Sequence, residues 1–85
     1  MSTRLVWTER SLDDIRKLDT QTRDRVLAAV ERLATTGHGD VRRLEGPAPE
    51  WRLRVGDWRV RFTHEPDHQT ILVLRVLPRG RAYRR

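Results

Sequence analysis

The chain has 85 residues, no cysteine and a formal net charge of +6. Because domains run from about 50 to 250 residues, this length predicts a single domain over residues 1–85. The absence of cysteine excludes disulfide frameworks and thiolate metal sites. The longest aliphatic run, Ile71 to Leu74, is far shorter than a membrane span of roughly 20 residues, and Met1 to Trp7 lack a signal-peptide core. A cytoplasmic protein without membrane contact is therefore expected.

The excess positive charge is concentrated near the C-terminus. Residues 68–85 carry +5 with no acidic residue, whereas residues 1–67 carry +1. All basic residues except Lys17 are arginines. An arginine bias suits phosphate recognition, but it also follows from genome base composition, so composition alone leaves both explanations open.

The first half of the chain predicts one strand and two helices. Residues 3–7 are compatible with a short strand, and Thr8 is suited to cap a helix that ends near Asp19. A second helix is predicted to begin at a cap formed by Thr20 or Thr22 and to stop before Gly37. Its apolar stripe consists of Val26, Leu27, Val30, Leu33 and Ala34. Residues 37–50 are rich in glycine and proline and are predicted to form a loop.

The segment from Trp51 to Phe62 is the most informative part of the sequence. Apolar and cationic residues alternate on both sides of the pair Gly56-Asp57, which predicts a β-hairpin with a type II′ turn. One side of this hairpin is then apolar, and the other side, called the arginine face below, carries Arg52, Arg54, Arg59 and Arg61. Like charges opposite each other cost folding free energy, and guanidinium groups fit phosphate oxygens. The hairpin therefore predicts a surface that binds a polyanion, although a plain solvated face is the alternative.

The rest of the chain completes a small sheet. A turn is predicted at Glu65 to His68, followed by a strand from Thr70 to Leu77 with apolar residues on both faces, which is typical of a central strand. The expected fold is α+β with the order β-α-α-β-β-β, in which two N-terminal helices pack on a small curved, mainly antiparallel sheet. His64 and His68 straddle the turn without cysteine companions, so neither a metal nor another cofactor is expected.

Several short motifs in this order resemble the RelE/ParE superfamily of toxins from bacterial type II toxin–antitoxin modules. The motifs are the segment from Arg43 to Gly46, the hairpin with Gly56-Asp57 at its tip, and the C-terminal residues Val76 to Arg79 with Tyr83. The resemblance covers nearly the whole chain. It implies one of two activities, because RelE-like members cleave mRNA in the ribosomal decoding site, whereas ParE-like members bind DNA gyrase and are not nucleases.

The resemblance to the RelE-like branch, which we favour, implies roles for individual residues. Arg59 and Arg79 are expected to stabilise charge on the phosphorane while a ribose 2′-hydroxyl attacks the adjacent phosphorus, and Tyr83 is expected to act as a base or to orient a nucleobase. The remaining positions expected to bind RNA are Arg52, Arg54, Arg61 and Arg81. Pro78 stands where many relatives have a histidine, so no histidine acid or base is available there.

Both branches imply a cognate antitoxin that neutralises the toxin in a hetero-oligomer. The RelE-like hypothesis adds mRNA and the ribosome, with its rRNA, as partners. A ParE-like gyrase inhibitor and a nontoxic, basic RNA-binding module remain the alternatives at this stage.

Overall fold

The computed structural model describes residues 3–47 and 49–80, which form two α-helices, five β-strands and a short 3-10 turn. In chain order the elements are β1 (Arg4–Trp7), α1 (Glu9–Arg16), α2 (Thr20–Thr36), β2 (Asp40–Arg43), β3 (Trp51–Val55), β4 (Trp58–Glu65), the 3-10 turn (Pro66–His68) and β5 (Thr70–Pro78).

The strands form one mixed sheet in the order β1-β5-β4-β3-β2. Strand β1 pairs with β5 in parallel, and the other neighbouring pairs are antiparallel. The predicted α+β fold is confirmed, and β5 lies between β1 and β4, as its apolar residues on both faces require. The prediction of a loop throughout residues 37–50 was wrong, because Asp40–Arg43 pair with β3. Val41 is the only apolar residue of this short strand, so the sequence carries no alternating signal for it.

The hairpin has the predicted register. Leu53 pairs with Val60, and Trp51 pairs with Phe62. Gly56 has a φ of +59°, whereas Asp57 is not among the residues with positive φ, a pattern that fits a type II′ turn. Glycine is favoured at this position because side chains are strained there.

The helix ends depend on side-chain caps. Thr8 caps α1 as predicted, since its hydroxyl accepts a hydrogen bond from the Ser11 amide at 3.1 Å. The cap of α2 is Asp19 rather than either threonine, because its carboxylate accepts from the Thr22 amide at 3.1 Å. Hydrogen bonding from the Thr22 side chain, and then from its amide, lowers the pKa of Asp19 below its ordinary value. Helix α2 ends before Gly37, which adopts the left-handed conformation with a φ of +75°. The Gly37 amide donates a hydrogen bond to the backbone oxygen of Leu33.

The core lies between the helices and one face of the sheet. Helix α2 packs against β3 and β1, and α1 packs against β5. The buried apolar side chains that form the core are Ile15, Leu18, Val26, Val30, Leu33, Ala34, Leu53, Val60, Phe62, Ile71, Val73 and Val76. Leu27, predicted as part of the stripe of α2, lies at its margin and is 36% exposed. The opposite face of the sheet is left for the arginines.

Candidate functional site

The arginine face is wider than the hairpin that predicts it. Pairing of β2, β3, β4 and β5 aligns one arginine from each strand in a single row: Arg42, Arg52, Arg61 and Arg75. Directly opposed residues of neighbouring strands lie on the same face. The adjacent row contains Asp40, Arg54, Arg59 and Leu77. The sheet therefore concentrates cations at close quarters, and acidic residues decide how much of that charge is free.

Arg61 and Arg75 are both held by carboxylates. Arg61 donates from Nε to Oε2 of Glu50 at 2.9 Å and also from Nη2 to the same oxygen. Arg75 donates from Nε and Nη2 to the two carboxylate oxygens of Asp14, at 2.8 and 3.2 Å. The hydrogen bonds that Arg75 donates to the Asp14 carboxylate raise the pKa of its guanidinium above its ordinary value. This half of the arginine face, called the acid-paired half below, has its positive charge balanced.

Asp14 also satisfies the edge of the sheet. Its Oδ2 atom accepts from the backbone amide of Val76 at 2.9 Å, beyond the point where β1 stops pairing with β5. Asp14 is only 9% exposed, whereas its neighbour Asp13 is exposed and pairs with Arg16. The sequence carried a signal for this, because Asp14 follows Ser11 by three residues and precedes Leu18 by four, on the apolar face of α1. An acidic residue on a buried face predicts a partner.

Arg59 and Arg79 both lie near the tip of the hairpin. The Nη1 atom of Arg59 donates to the backbone oxygens of Gly56 at 2.9 Å and Trp58 at 3.0 Å, and Arg59 is only 7% exposed. Arg79 is exposed, and its backbone amide donates to the Asp57 oxygen at 2.8 Å. Tyr83 and Arg81 lie outside the described residues.

Arg52 and Arg54 form the other half of the arginine face, called the unpaired half below. Arg52 is 7% exposed, yet its Nε and Nη1 atoms are buried without a hydrogen-bond partner among the described residues. The Asp40 carboxylate lies 3.9 Å from Arg52 Nη1 and 3.9 Å from Arg54 Nη1, which makes two long ion pairs but is too far for hydrogen bonds, and unpaired here means without a hydrogen-bonded carboxylate. A buried guanidinium with unused donors is costly and is expected to have an anionic partner.

An open groove of about 500 Å³ adjoins the acid-paired half. Thr8, Glu9 and Arg10 line it on the side of α1. On the side of the sheet it is lined by Glu50, Arg61, Leu74 and Arg75. No sequence pattern predicts Glu50 at this groove, because Glu50 ends a loop without periodic apolar residues.

Among residues 3–47 and 49–80, no group of three or more histidine or acidic side chains is arranged to hold a metal ion. Within the same residues, neither helix has the length and the apolar character that a membrane crossing requires.

Comparison with known proteins identifies relatives of this fold. A family model described as the ParE toxin of the type II toxin–antitoxin system parDE matches residues 5–83. A chain of the archaeal RelE-RelB complex from Pyrococcus horikoshii has a TM-score of 0.80 and 26% identity, over 95% of this chain and 99% of that chain. No curated protein sequence matches significantly.

Two further solved structures have the same fold at lower identity. The isolated E. coli RelE toxin has a TM-score of 0.73 and 20% identity, over 96% of this chain and 89% of that chain. A YoeB/ParE toxin from Agrobacterium tumefaciens has a TM-score of 0.73 and 20% identity, over 88% of this chain and 96% of that chain.

Proposed function

Since the chain belongs to the ParE toxin family of type II toxin–antitoxin systems, we propose that it inhibits translation as a ribosome-dependent mRNA endonuclease. The observation that carries this proposal is the unpaired half of the arginine face. Among the described residues, Arg52 keeps buried donors without hydrogen-bond partners, and Arg54 beside it is half-exposed. An RNA phosphate would supply acceptors to the buried donors of Arg52 and would also be reached by the exposed guanidinium of Arg54. Because mRNA and ribosomes are found in the cytoplasm, the proposed activity is cytoplasmic.

The proposed reaction is transfer of the scissile phosphate to the neighbouring ribose. The 2′-oxygen forms a bond to phosphorus and gives up its proton, while the bond from phosphorus to the 5′-oxygen breaks and that oxygen gains a proton. Arg79 and Arg59 stabilise the negative charge that develops on the phosphorane. Tyr83 takes the proton or orients the adjacent base, and Arg61 and Arg81 add to RNA binding.

The hydrogen bonds of Arg59 are compatible with its proposed role in stabilising the phosphorane. Only its Nη1 atom is used by the two backbone oxygens of the hairpin tip. A guanidinium group has five N–H donors, so capacity remains for a phosphate oxygen. The tip contacts fix the side chain in advance, which favours catalysis because no reorganisation is needed.

We further propose that a cognate antitoxin binds this chain in a hetero-oligomer. The similar chain from Pyrococcus horikoshii was solved in a RelE-RelB complex, and a further similar chain, from Mycobacterium tuberculosis, was solved in the toxin-antitoxin complex RelBE2. An acidic antitoxin segment that covers the unpaired half would supply carboxylates to Arg52 and Arg54 in place of RNA phosphates. Neutralisation by direct competition follows from that arrangement.

A cell-free translation reaction with mapping of mRNA 5′ ends tests the nuclease. We expect the protein to cut message on ribosomes and Arg79→Ala to lower the cleavage rate at least about 100-fold, since one preorganised donor contributes that much. Arg79 suits this test because, in the part of the chain that the structure describes, its backbone amide makes a hydrogen bond and its side chain makes none. Arg32→Ala, on the exposed surface of α2, removes the same charge and should leave cleavage unchanged. Intact message in the presence of the wild-type protein would contradict the proposal.

The second candidate is inhibition of DNA gyrase without nuclease activity. The acid-paired half favours it, because Glu50 and Asp14 already neutralise two of the cations that an RNA backbone would use. Loss of gyrase supercoiling activity together with intact message would establish this candidate in place of the first.

A further inference from the structure

The groove beside α1 differs in chemistry from the unpaired half of the arginine face. Its volume of about 500 Å³ lies within the range of roughly 300–1,000 Å³ typical of small-ligand sites. Its two arginines on the sheet, Arg61 and Arg75, are paired with carboxylates. Glu9 and Arg10 on the opposite side carry one charge of each sign, so the groove has little net charge to attract another phosphate. The groove instead offers neutral polar chemistry beside an apolar surface.

Glu50 provides unused acceptor capacity at this groove. Both hydrogen bonds from Arg61 go to its Oε2 atom, and no described residue donates to Oε1. A carboxylate accepts about four hydrogen bonds, so Glu50 is able to accept two more. The Nη1 atoms of Arg61 and Arg75 take no part in the two ion pairs and remain as donors.

The apolar surface of the groove is held in place by a β-bulge. The pairing of β4 with β5 shifts after Arg61, so that Arg75 and Val73 are both paired with β4 and Leu74 between them is left out. Thr8 fixes this bulge, since its hydroxyl donates to the Leu74 oxygen and its amide donates to the Val73 oxygen, each at 3.1 Å. The Leu74 side chain therefore lines the groove from a constrained backbone.

We propose that this groove binds a nucleobase of the RNA and that guanine is the preferred base. Guanine presents two adjacent donors, N1–H and the 2-amino group, next to the acceptor O6. Glu50 accepts from the two donors, and an arginine Nη1 donates to O6, while Leu74 and the guanidinium groups contact the ring. Adenine and cytosine each offer one amino group and uracil offers one N3–H, so none of the three presents two adjacent donors. This inference rests on the proposed function, because the substrate must be RNA.

A titration of the protein with the four ribonucleosides, followed by ¹H–¹⁵N NMR, tests this preference. Nucleosides carry no phosphate, so they do not compete for the unpaired half. Guanosine should shift the resonances of Glu50, Arg61, Leu74 and Arg75 and should bind about tenfold more tightly than uridine. Equal affinity for all four nucleosides, or shifts confined to other residues, would overturn the proposal.

The variant Glu50→Gln tests the role assigned to the carboxylate. The amide replaces one acceptor oxygen with donors, so the affinity for guanosine should fall about tenfold and its advantage over uridine should disappear. Glu45→Gln, an exposed residue in the same loop, removes the same charge and should leave both affinities unchanged. Unchanged base preference in Glu50→Gln would overturn the assignment. Should Glu50→Gln fail to fold in a thermal scan, the wild-type ranking of nucleosides decides alone.

These experiments test the proposed base-binding groove and the proposed nuclease activity independently. The nucleoside titration contains neither ribosomes nor message, whereas the cleavage reaction depends on both. Cleavage without any guanosine preference would overturn the groove and leave the nuclease standing. Guanosine binding in the groove without cleavage would leave the base site in place and remove the nuclease.

Discussion

The two faces of the β3–β4 hairpin are both buried at their centres, but they are stabilised by different interactions. Leu53 and Val60 on the helix side are each 1% exposed, and Arg52 and Arg59 on the other side are each 7% exposed. The helix side gains free energy simply by leaving water. The arginine face gains only where each buried guanidinium has acceptors. Burial therefore says less about the role of a residue on this sheet than the presence or absence of a polar partner.

The largest expected effect comes from the helix side. Leu53→Ala should lower the free energy of unfolding by about 3 to 4 kcal/mol, because it removes buried methyl groups and leaves a cavity. Chemical denaturation measures this loss. Val41→Ala, which truncates a half-buried side chain in the adjacent strand, serves as the control and should cost about 1 kcal/mol. A loss below about 1 kcal/mol for Leu53→Ala would mean that the helix side is not the main source of stability.

The second effect comes from the acid-paired half. Asp14→Ala should lower the free energy of unfolding by about 2 to 3 kcal/mol, since it leaves Arg75 and the Val76 amide without their shared acceptor. Arg75→Met alone should cost less, because the Val76 amide keeps its partner. In a double-mutant cycle the two substitutions should show a coupling of about 1 to 2 kcal/mol. Purely additive effects would contradict the ion pair as a source of stability.

The same contrast explains how far the sequence predicts this molecule. The hairpin register follows from alternation and a glycine-first turn, and both are local properties of the segment. The position of β5 follows from its apolar residues on both faces. Strand β2 carries no such pattern, because it has a single apolar residue and forms by pairing with β3. A strand with a periodic apolar pattern can be predicted from its own sequence, whereas a strand such as β2, which depends on pairing with its neighbour, cannot.

The same distinction between local patterns and distant contacts applies to the candidate site. The arginine face was predicted from alternation alone, including Arg52 opposite Arg61 and Arg54 opposite Arg59. The acidic partners were missed, because Asp14 and Glu50 reach Arg75 and Arg61 from distant parts of the chain. Their contacts depend on how α1 and the loop before β3 fold back onto the sheet. The sequence thus predicted the charge of the surface, and the position of Asp14 indicated a buried partner, but neither Arg75 nor Arg61 could be identified as the cation that a carboxylate neutralises.

The smallest expected effect concerns the unpaired half and has the opposite sign. Arg52→Met should raise the free energy of unfolding by about 1 kcal/mol, because it removes a buried guanidinium whose Nε and Nη1 have no hydrogen-bond partner in residues 3–47 and 49–80 and fills the space with apolar atoms. Arg42→Met, exposed in the same row of the sheet, should change stability by less than about 0.5 kcal/mol. The stabilised Arg52→Met protein should also lose most of its mRNA cleavage, as expected where a binding residue is kept at a cost in stability. If Arg52→Met proved destabilising, the guanidinium would have a structural partner, and the case for an RNA phosphate at this position would be lost.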